Sequence, residues 1–487
     1  MPNAQWTRVS FERGVDEFYE GTDLSEGTAT AISNWTPEAT GVLRTKRGWL
    51  NAPTSGLTGT RTWRGQGYFV PGSGAKFVAA QASDATTYKI NRLAADLSGG
   101  WTTIETLTVA DSTSPVCFAS GADKVLYTNP GFTGDLIRYW DGTTAGTVSA
   151  DTIAGQFVHY HNNRFFTGGA DTNPTYLRWS ELGDPTLWSL TTNFQPLGQD
   201  DGEPLEDACT WERGMFVGKR NSIWFVSGFG PDTFGFNQVP GCGVAPGRTL
   251  VPTPRGVIAI GRERIYSFTG GGFEPISRPI EASYGMSGTY MTGTYIDGRV
   301  YVCDQGSGTI WSYDLETGAW ASEAYVVAND GPAGVFSRNG YLFGGTMVGG
   351  TTSGTSSVMQ YRQEPKGARA RNINYAETFA ATSARFPVRG DKPVGPSTLR
   401  NVALTIRQRG GTSASTPLTV QIYTDNVLMA ARTVTLKDTP KVFRAQVSAG
   451  YTGYDHQIAF SQALGSTDAG VIDIEECWAE LEAERAR

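Results

Sequence analysis

Aromatic residues return along this chain at a long, steady interval. Tyr88, Tyr139, Trp179, Trp224, Tyr266, Trp311 and Tyr361 each sit on a short strand-like segment, with separations of 51, 40, 45, 42, 45 and 50 residues. A repeat of about 45 residues on strand-like segments is the length of one four-stranded propeller blade. A second series follows the next turn: Trp101, Trp188 and Trp320, separated by 87 and 132 residues, near two and three times the same period. Phe234 and Phe273 fall near the intermediate positions, whereas "DGTTAGTVS" around residue 145 has no aromatic.

Each aromatic of the first series is preceded by an apolar run: "KFVAAQ", "KVLYTN", "RFFTGG", "MFVGKR", "VIAIGRE", "RVYVCDQ" and "YLFGGT". Short apolar runs bounded by Gly-rich or polar turns read as strands buried on both faces. Seven runs give seven blades over residues 55–365, with six as the alternative because the first and last units are the least regular. A propeller closes its ring, and "TGVLRTKRGW" (Thr40–Trp49) is the strand candidate for that purpose, so residues 1–54 are assigned to an N-terminal closing segment.

Beyond residue 365 the pattern changes. A basic linker covers 366–379, and "NVALTIRQ", "LTVQIYTD", "RTVTLK", "KVFRAQV" and "HQIAFSQ" alternate apolar and polar residues at period two. Half-buried antiparallel strands alternate in this way, so residues 380–487 are expected to form a jelly-roll-like β-sandwich. The end, "EECWAELEAERAR", has helical propensity, but "VIDIEE" reads as a strand, and a final strand running into a short polar tail is expected. The fold class is therefore all-β: a β-propeller followed by a C-terminal antiparallel β-sandwich. The 61 glycines and the modest 18% of charged residues agree with many tight turns.

The balance of 40 basic and 47 acidic residues, net −7, argues against a nucleic-acid binder that works by neutralising phosphates. The first residues, "MPNAQWTRVSFERG", lack a basic n-region and apolar core, and no window approaches 18 consecutive apolar residues. A chain made in the cytoplasm without a membrane span is expected. Cys117, Cys209, Cys242, Cys303 and Cys477 are widely spaced and odd in number, which predicts buried free thiols rather than a disulfide frame or thiolate metal site.

Candidate chemistry is sparse. His159 and His161 in "FVHYHNNRFF" lie two apart on a strand and so share a face, but no third ligand is evident nearby. His456 has no partner in sequence. Asp200, Asp201 and Glu203 in "GQDDGEPLED" are hard oxygen donors of a kind that binds calcium, yet their spacing is not that of an EF-hand and a solvated inter-blade loop is favoured. "VRGDKP" (Val388–Pro393) reads as a turn. No G-x-S-x-G elbow, H-E-x-x-H or P-loop occurs, so no catalytic, cofactor-binding or metal site is assigned and no enzyme is expected.

The segment "SYDLETGAW" (Ser312–Trp320) resembles the Y-D-x-x-T-x-x-W pattern of kelch-type blades, with Tyr313 and Trp320 placed to pack between sheets. It is also comparable with the Asp-box of sialidases, but nothing singles out the arginine cluster and tyrosine nucleophile that such an enzyme needs. "NNRFFTGGADTNPTYLRWSELGDPTLW", together with "NWTPEATGVLRTKRGW" and the propeller–sandwich order, resembles the tail nozzle or tail tubular proteins of short-tailed bacteriophages.

That resemblance implies a structural virion protein of the phage tail. It would form a ring, usually of six copies, below the portal and adaptor, through which DNA is ejected. The implied partners are further copies of itself, the adaptor or head–tail connector, tail fibre or spike proteins, and passing DNA without sequence-specific contacts. An acidic wall that includes Asp200 and Asp201 would keep phosphates from sticking. Two other readings stand beside it: a receptor- or glycan-binding propeller with Trp140, Trp188 or Trp211 as stacking platforms, and a propeller glycosidase with a carboxylate pair in the central funnel.

Overall fold

The computed structural model describes residues 5–483 apart from 18–27, 34, 38, 46–48, 52–61, 85, 95–98, 109–113, 130–136, 149–154, 171, 190, 286–289, 305–308, 325–331, 339–340, 347–357, 362–376, 384, 386–395, 409–416, 436–440 and 465–471. The Val388–Pro393 turn lies outside the described residues.

Seven four-stranded antiparallel units follow one another along the chain. Their first strands are Thr62–Phe69, Cys117–Gly121, Phe157–His161, Leu205–Trp211, Leu250–Thr253, Met291–Ile296 and Pro332–Arg338. Each touches the next in order, and the seventh touches the first, so these strands form a closed inner ring. The apolar runs of the sequence are the second strands, and all seven aromatics of the first series lie on the third strands. Each aromatic sits opposite a residue of its own second strand: Tyr88 faces Ala82, Trp179 faces Phe166 and Trp311 faces Val302. The protein is a seven-bladed β-propeller followed by a β-sandwich.

Local chemistry explains the repeated turns. The inner and second strands of blades 2, 3 and 6 are joined by two-residue turns at Ala122-Asp123, Asn162-Asn163 and Asp297-Gly298, all with positive φ. Two consecutive positive φ angles define the type I′ turn, whose twist matches that of the flanking strands. At the turn into the outer strand, an aspartate takes over. The carboxylates of Asp141, Asp184 and Asp314 each accept the backbone N–H two residues on, at 2.8, 2.9 and 2.9 Å. The missing aromatic of blade 2 also has a cause. Gly146 stands on its outer strand, and a Cβ there would lie 2.8 Å from the ring of Tyr139, which already fills that space.

Cores lie between blades rather than within them. Val78, Ile90, Phe118, Tyr127 and Trp140 form one cluster between blades 1 and 2, and Phe216, Ile223, Val257 and Phe273 another between blades 4 and 5. Of the five free thiols, four are buried; Cys242 is only half-buried, a correction to the expectation for all five.

The ends of the chain are interwoven. Trp49–Asn51 pairs antiparallel with Val358–Tyr361 and supplies the fourth strand of blade 7, so the ring is closed from the N-terminal side. The expected segment Thr40–Trp49 is displaced, because its strand Leu43–Thr45 pairs instead with Trp35–Pro37 and with Ile472–Ala483 of the sandwich. Most of the described strands in residues 1–54 thus join the sandwich. Gln5–Val9 pairs with Ile472–Ala483, and Thr28–Ser33 with Glu377–Ser383. Ile472–Ala483 is strand throughout, since Cys477, Ala479 and Leu481 alternate into the core and override the helical propensity of that stretch.

One sheet runs across both domains. The outer strand of blade 6, Trp320–Ala324, pairs in parallel with Gly14–Val15 and Thr28–Ser33, and the sheet continues through Glu377–Ser383, His456–Leu464 and Leu418–Thr424 to Val427–Val434. A blade edge that would otherwise expose unpaired backbone is covered in this way. Gly14 makes the crossing feasible. Its φ is +72°, and a Cβ would lie 2.4 Å from the carbonyl oxygen of Trp320, so both the backbone angle and the close approach require glycine.

Candidate functional site

A concave site gathers residues from the inner strands around the propeller axis. A cavity of about 410 Å³ is lined from five blades, by Gln66, Tyr68, Phe118, Ser120, His159, Tyr160, Arg248, Thr294 and Tyr295 among others. Its described lining contains an arginine, a histidine and tyrosines but no carboxylate, so the funnel does not present a glycosidase pair among the described residues.

His159 and His161 share a face of their strand, as the spacing requires, and both ring nitrogens meet one group. His159 Nε2 lies 2.8 Å and His161 Nδ1 3.0 Å from Thr210 Oγ1 on the next blade's inner strand. One hydroxyl donates a single proton, so one imidazole accepts from it and the other donates to it. Burial, the charge of Arg248 and the neighbouring His161 press His159 down to about 3, and burial also lowers His161. Both rings are therefore neutral at physiological pH and join blade 3 to blade 4. His456 does equivalent work in the sandwich. Its Nε2 donates to the carbonyl of Ser397 at 3.2 Å and its Nδ1 accepts from Thr424 Oγ1 at 3.1 Å.

The acidic loop closes on itself. Asp201 pairs with Lys219 Nζ and accepts the Glu203 backbone N–H at 2.9 Å, while Glu203 accepts the Asn221 backbone N–H at 3.1 Å. Lys219 is fully buried and also donates to the carbonyls of Leu197 and Gly198 at 2.9 and 3.2 Å. The carboxylates are thus dispersed over separate partners, and no cluster of three or more potential metal ligands occurs among the described residues. Asp200 alone of the three is exposed without a role in the loop's hydrogen bonds among the described contacts.

The tryptophans proposed as platforms are packing residues. Trp140 is buried edge-on to Phe69 at 5.7 Å, and Trp188 is buried with its Nε1 donating to Pro185 at 2.9 Å. Trp211 is half-buried against Phe268 at 5.5 Å. Tyr313 and Trp320 meet at 4.7 Å, as their spacing predicts.

Arg248, Glu206 and Asp207 were not singled out in the sequence. Asp207 is buried and accepts the backbone N–H groups of Thr249 and Leu250 at 2.7 and 2.8 Å, which fixes the chain immediately after Arg248. Their signal was present but diluted: Asp207 ends an acidic run, and Arg248 stands alone in "PGRTL", beside residues that are buried. Burial pushes Asp207 up to about 6 and its neighbour Glu206 up to about 7, the latter against the pull of Arg262.

Glu206 has a pH signature. Below about 4.5, its ordinary value, the carboxyl is protonated in both folded and unfolded chains. As pH rises to 7 the unfolded chain releases its proton first, so the stability attached to this group is lost over that window. Glu206→Gln is expected to be more favourable, relative to the parent protein, at pH 8 than at pH 5 by about 1–3 kcal/mol. Denaturant unfolding of both proteins at the two pH values checks this, and a difference independent of pH would contradict it.

No protein family's sequence profile matches the chain, and no curated protein matches it. Solved structures resemble it at low identity. The WD40 domain of Pan2 from Neurospora crassa is 9% identical, with 66% of this chain and 96% of that one covered and a TM-score of 0.42. The β-propeller domain of the trilobed protease from Pyrococcus furiosus, which has an open velcro topology, is 9% identical over 63% and 96% of the two chains, with a TM-score of 0.39. Hsv2 from Kluyveromyces lactis is 6% identical over 59% and 91%, with a TM-score of 0.37.

Proposed function

We propose that this chain is a structural subunit of a short-tailed bacteriophage tail, the nozzle, which assembles as a ring of six copies below the adaptor and conducts DNA out of the head. The observation that carries the reading is the single sheet running from blade 6 into the sandwich. It makes propeller and sandwich one stiff unit, as a channel wall under load requires, whereas a hinged pair of domains would flex. The resemblance of the Asn162–Trp188 stretch to phage propellers supports reading that wall as part of a phage tail.

Exposed apolar residues support assembly. Leu182 and Leu187 stand out on blade 3, Phe229 on blade 4, and Val427, Leu428, Met429 and Tyr454 on the sandwich. The last group is held together because Asp425, in the turn before Val427, accepts the Tyr454 backbone N–H at 2.9 Å. Apolar clusters of this kind mark contact surfaces, and here the occupant is the neighbouring subunit. The net charge of −7 suits a conduit that must release phosphates rather than bind them.

Phe229→Asp and Leu428→Asp alter exposed side chains and are expected to leave the melting temperature of the subunit nearly unchanged. At least one is expected to shift the sedimenting species from ring to monomer. Sedimentation velocity that gives the same oligomer for both variants as for the parent would count against this contact scheme.

A further inference from the structure

The axial cavity has one property that a purely structural channel through a propeller does not need. Arg248 projects an exposed guanidinium into it. Among the described residues no carboxylate lies within ion-pair distance of that group, and Asp207, whose charge Arg248 influences, spends its carboxylate on the amides of Thr249 and Leu250. The neighbouring His159 is held by Thr210. Most hydroxyls around the wall are likewise committed: Tyr160 donates to Asn163 at 3.0 Å and Ser120 to the carbonyl of Tyr68 at 2.5 Å.

What remains is one uncommitted cation beside a lining of aromatic rings, in a cavity whose volume lies in the range of small-molecule sites. The inner strands fix the tyrosines, and the pairing of Gly247–Arg248 with Met291–Ile296, together with the Asp207 contacts to Thr249 and Leu250, fixes the backbone at Arg248. A planar guanidinium with five donors matches a carboxylate or phosphate, and the part-buried tyrosines of the lining, Tyr68, Tyr160 and Tyr295, add apolar surface for the body of a sugar-sized molecule.

We propose that this cavity binds a monosaccharide-sized organic anion, its acidic group on Arg248 and its body against the tyrosines. The site is independent of the nozzle reading, because it lies within one propeller and does not require a ring.

The test is calorimetric titration of the full-length protein with glucuronate, glucose 1-phosphate, neutral glucose and inorganic phosphate. Saturable binding of glucuronate, glucose 1-phosphate or both is expected, with glucose and inorganic phosphate at least roughly tenfold weaker because each lacks one of the two interactions. Binding of one anionic sugar alone would tell a carboxylate ligand from a phosphate one. Arg248→Gln is expected to weaken the bound anion roughly ten- to a hundredfold, and Arg248→Lys, which keeps the charge but loses the fork, by a smaller factor. Circular dichroism melting of both variants checks that they fold. No saturable heat with either anionic sugar, inorganic phosphate binding as tightly as they do, or unchanged binding in Arg248→Gln would each overturn the proposal.

Discussion

Trp320→Ala is expected to cost about 3–5 kcal/mol, the range for deleting a large aromatic from a packed core. Trp320 is 1% exposed, lies 4.7 Å from the ring of Tyr313, and donates from Nε1 to the carbonyl of Ile276 in the preceding blade at 3.0 Å. Its backbone is also the point where Gly14 pairs with the propeller. The substitution therefore opens a cavity and leaves a part-buried carbonyl without its donor at the seam between blade 5, blade 6 and the sandwich. Trp320→Phe separates the two losses, because it keeps a ring and removes only the hydrogen bond, at about 1 kcal/mol. Thermal and denaturant unfolding followed by circular dichroism reads both. If Trp320→Ala unfolds with the parent protein's midpoint, the seam does not hold the domains together.

Asp201→Ala is expected to destabilise by about 3 kcal/mol, because it leaves the fully buried ammonium of Lys219 without its counter-charge. Lys219→Met is expected to cost less, about 1–2 kcal/mol. Its loss leaves the carbonyls of Leu197 and Gly198 without a donor, but Asp201, whose side chain is 38% exposed, can turn to water. The order of the two effects is the informative part, since a surface salt bridge would give similar, small losses for both. The double variant is expected to be less destabilised than the sum of the two singles. Additive losses would mean that Asp201 and Lys219 act separately, and that the acidic loop is anchored by other contacts.

The propeller was legible in the sequence because its signal is long-range in period but local in form. Each third-strand aromatic faces its own second strand across a hairpin, so Tyr88 and Ala82, or Trp311 and Val302, lie within ten residues of one another. Where the signal failed, a local reason exists, as at Gly146 under the ring of Tyr139. The N-terminal strands were less legible. Gln5–Val9 and Thr28–Ser33 take partners more than 340 residues away, and no nearby periodicity records such pairings.

The same distance hid the axial cavity. It gathers Gln66, Ser120, His159 and Thr294 from four inner strands and Arg248 from the short segment Gly247–Arg248 that precedes a fifth, each unremarkable in its own stretch of sequence. The histidine pair was visible as a pair, but its shared partner, Thr210, comes from the next blade. The acidic run was visible as charge, but the buried Lys219 that organises it stands in a strand otherwise read as apolar. In each case the residues were apparent and the partner was not.

A ring subunit must be stiff and must meet its neighbours through defined surfaces. In the proposed ring the shared sheet would supply the first property, and the exposed apolar groups at Phe229 and Leu428 would supply the second. The most direct measurement is electron microscopy of the concentrated, purified full-length protein, with its mass determined under native conditions. Closed rings of six copies around an open channel are predicted. Single propeller-sized particles of monomer mass at every concentration examined would contradict the account.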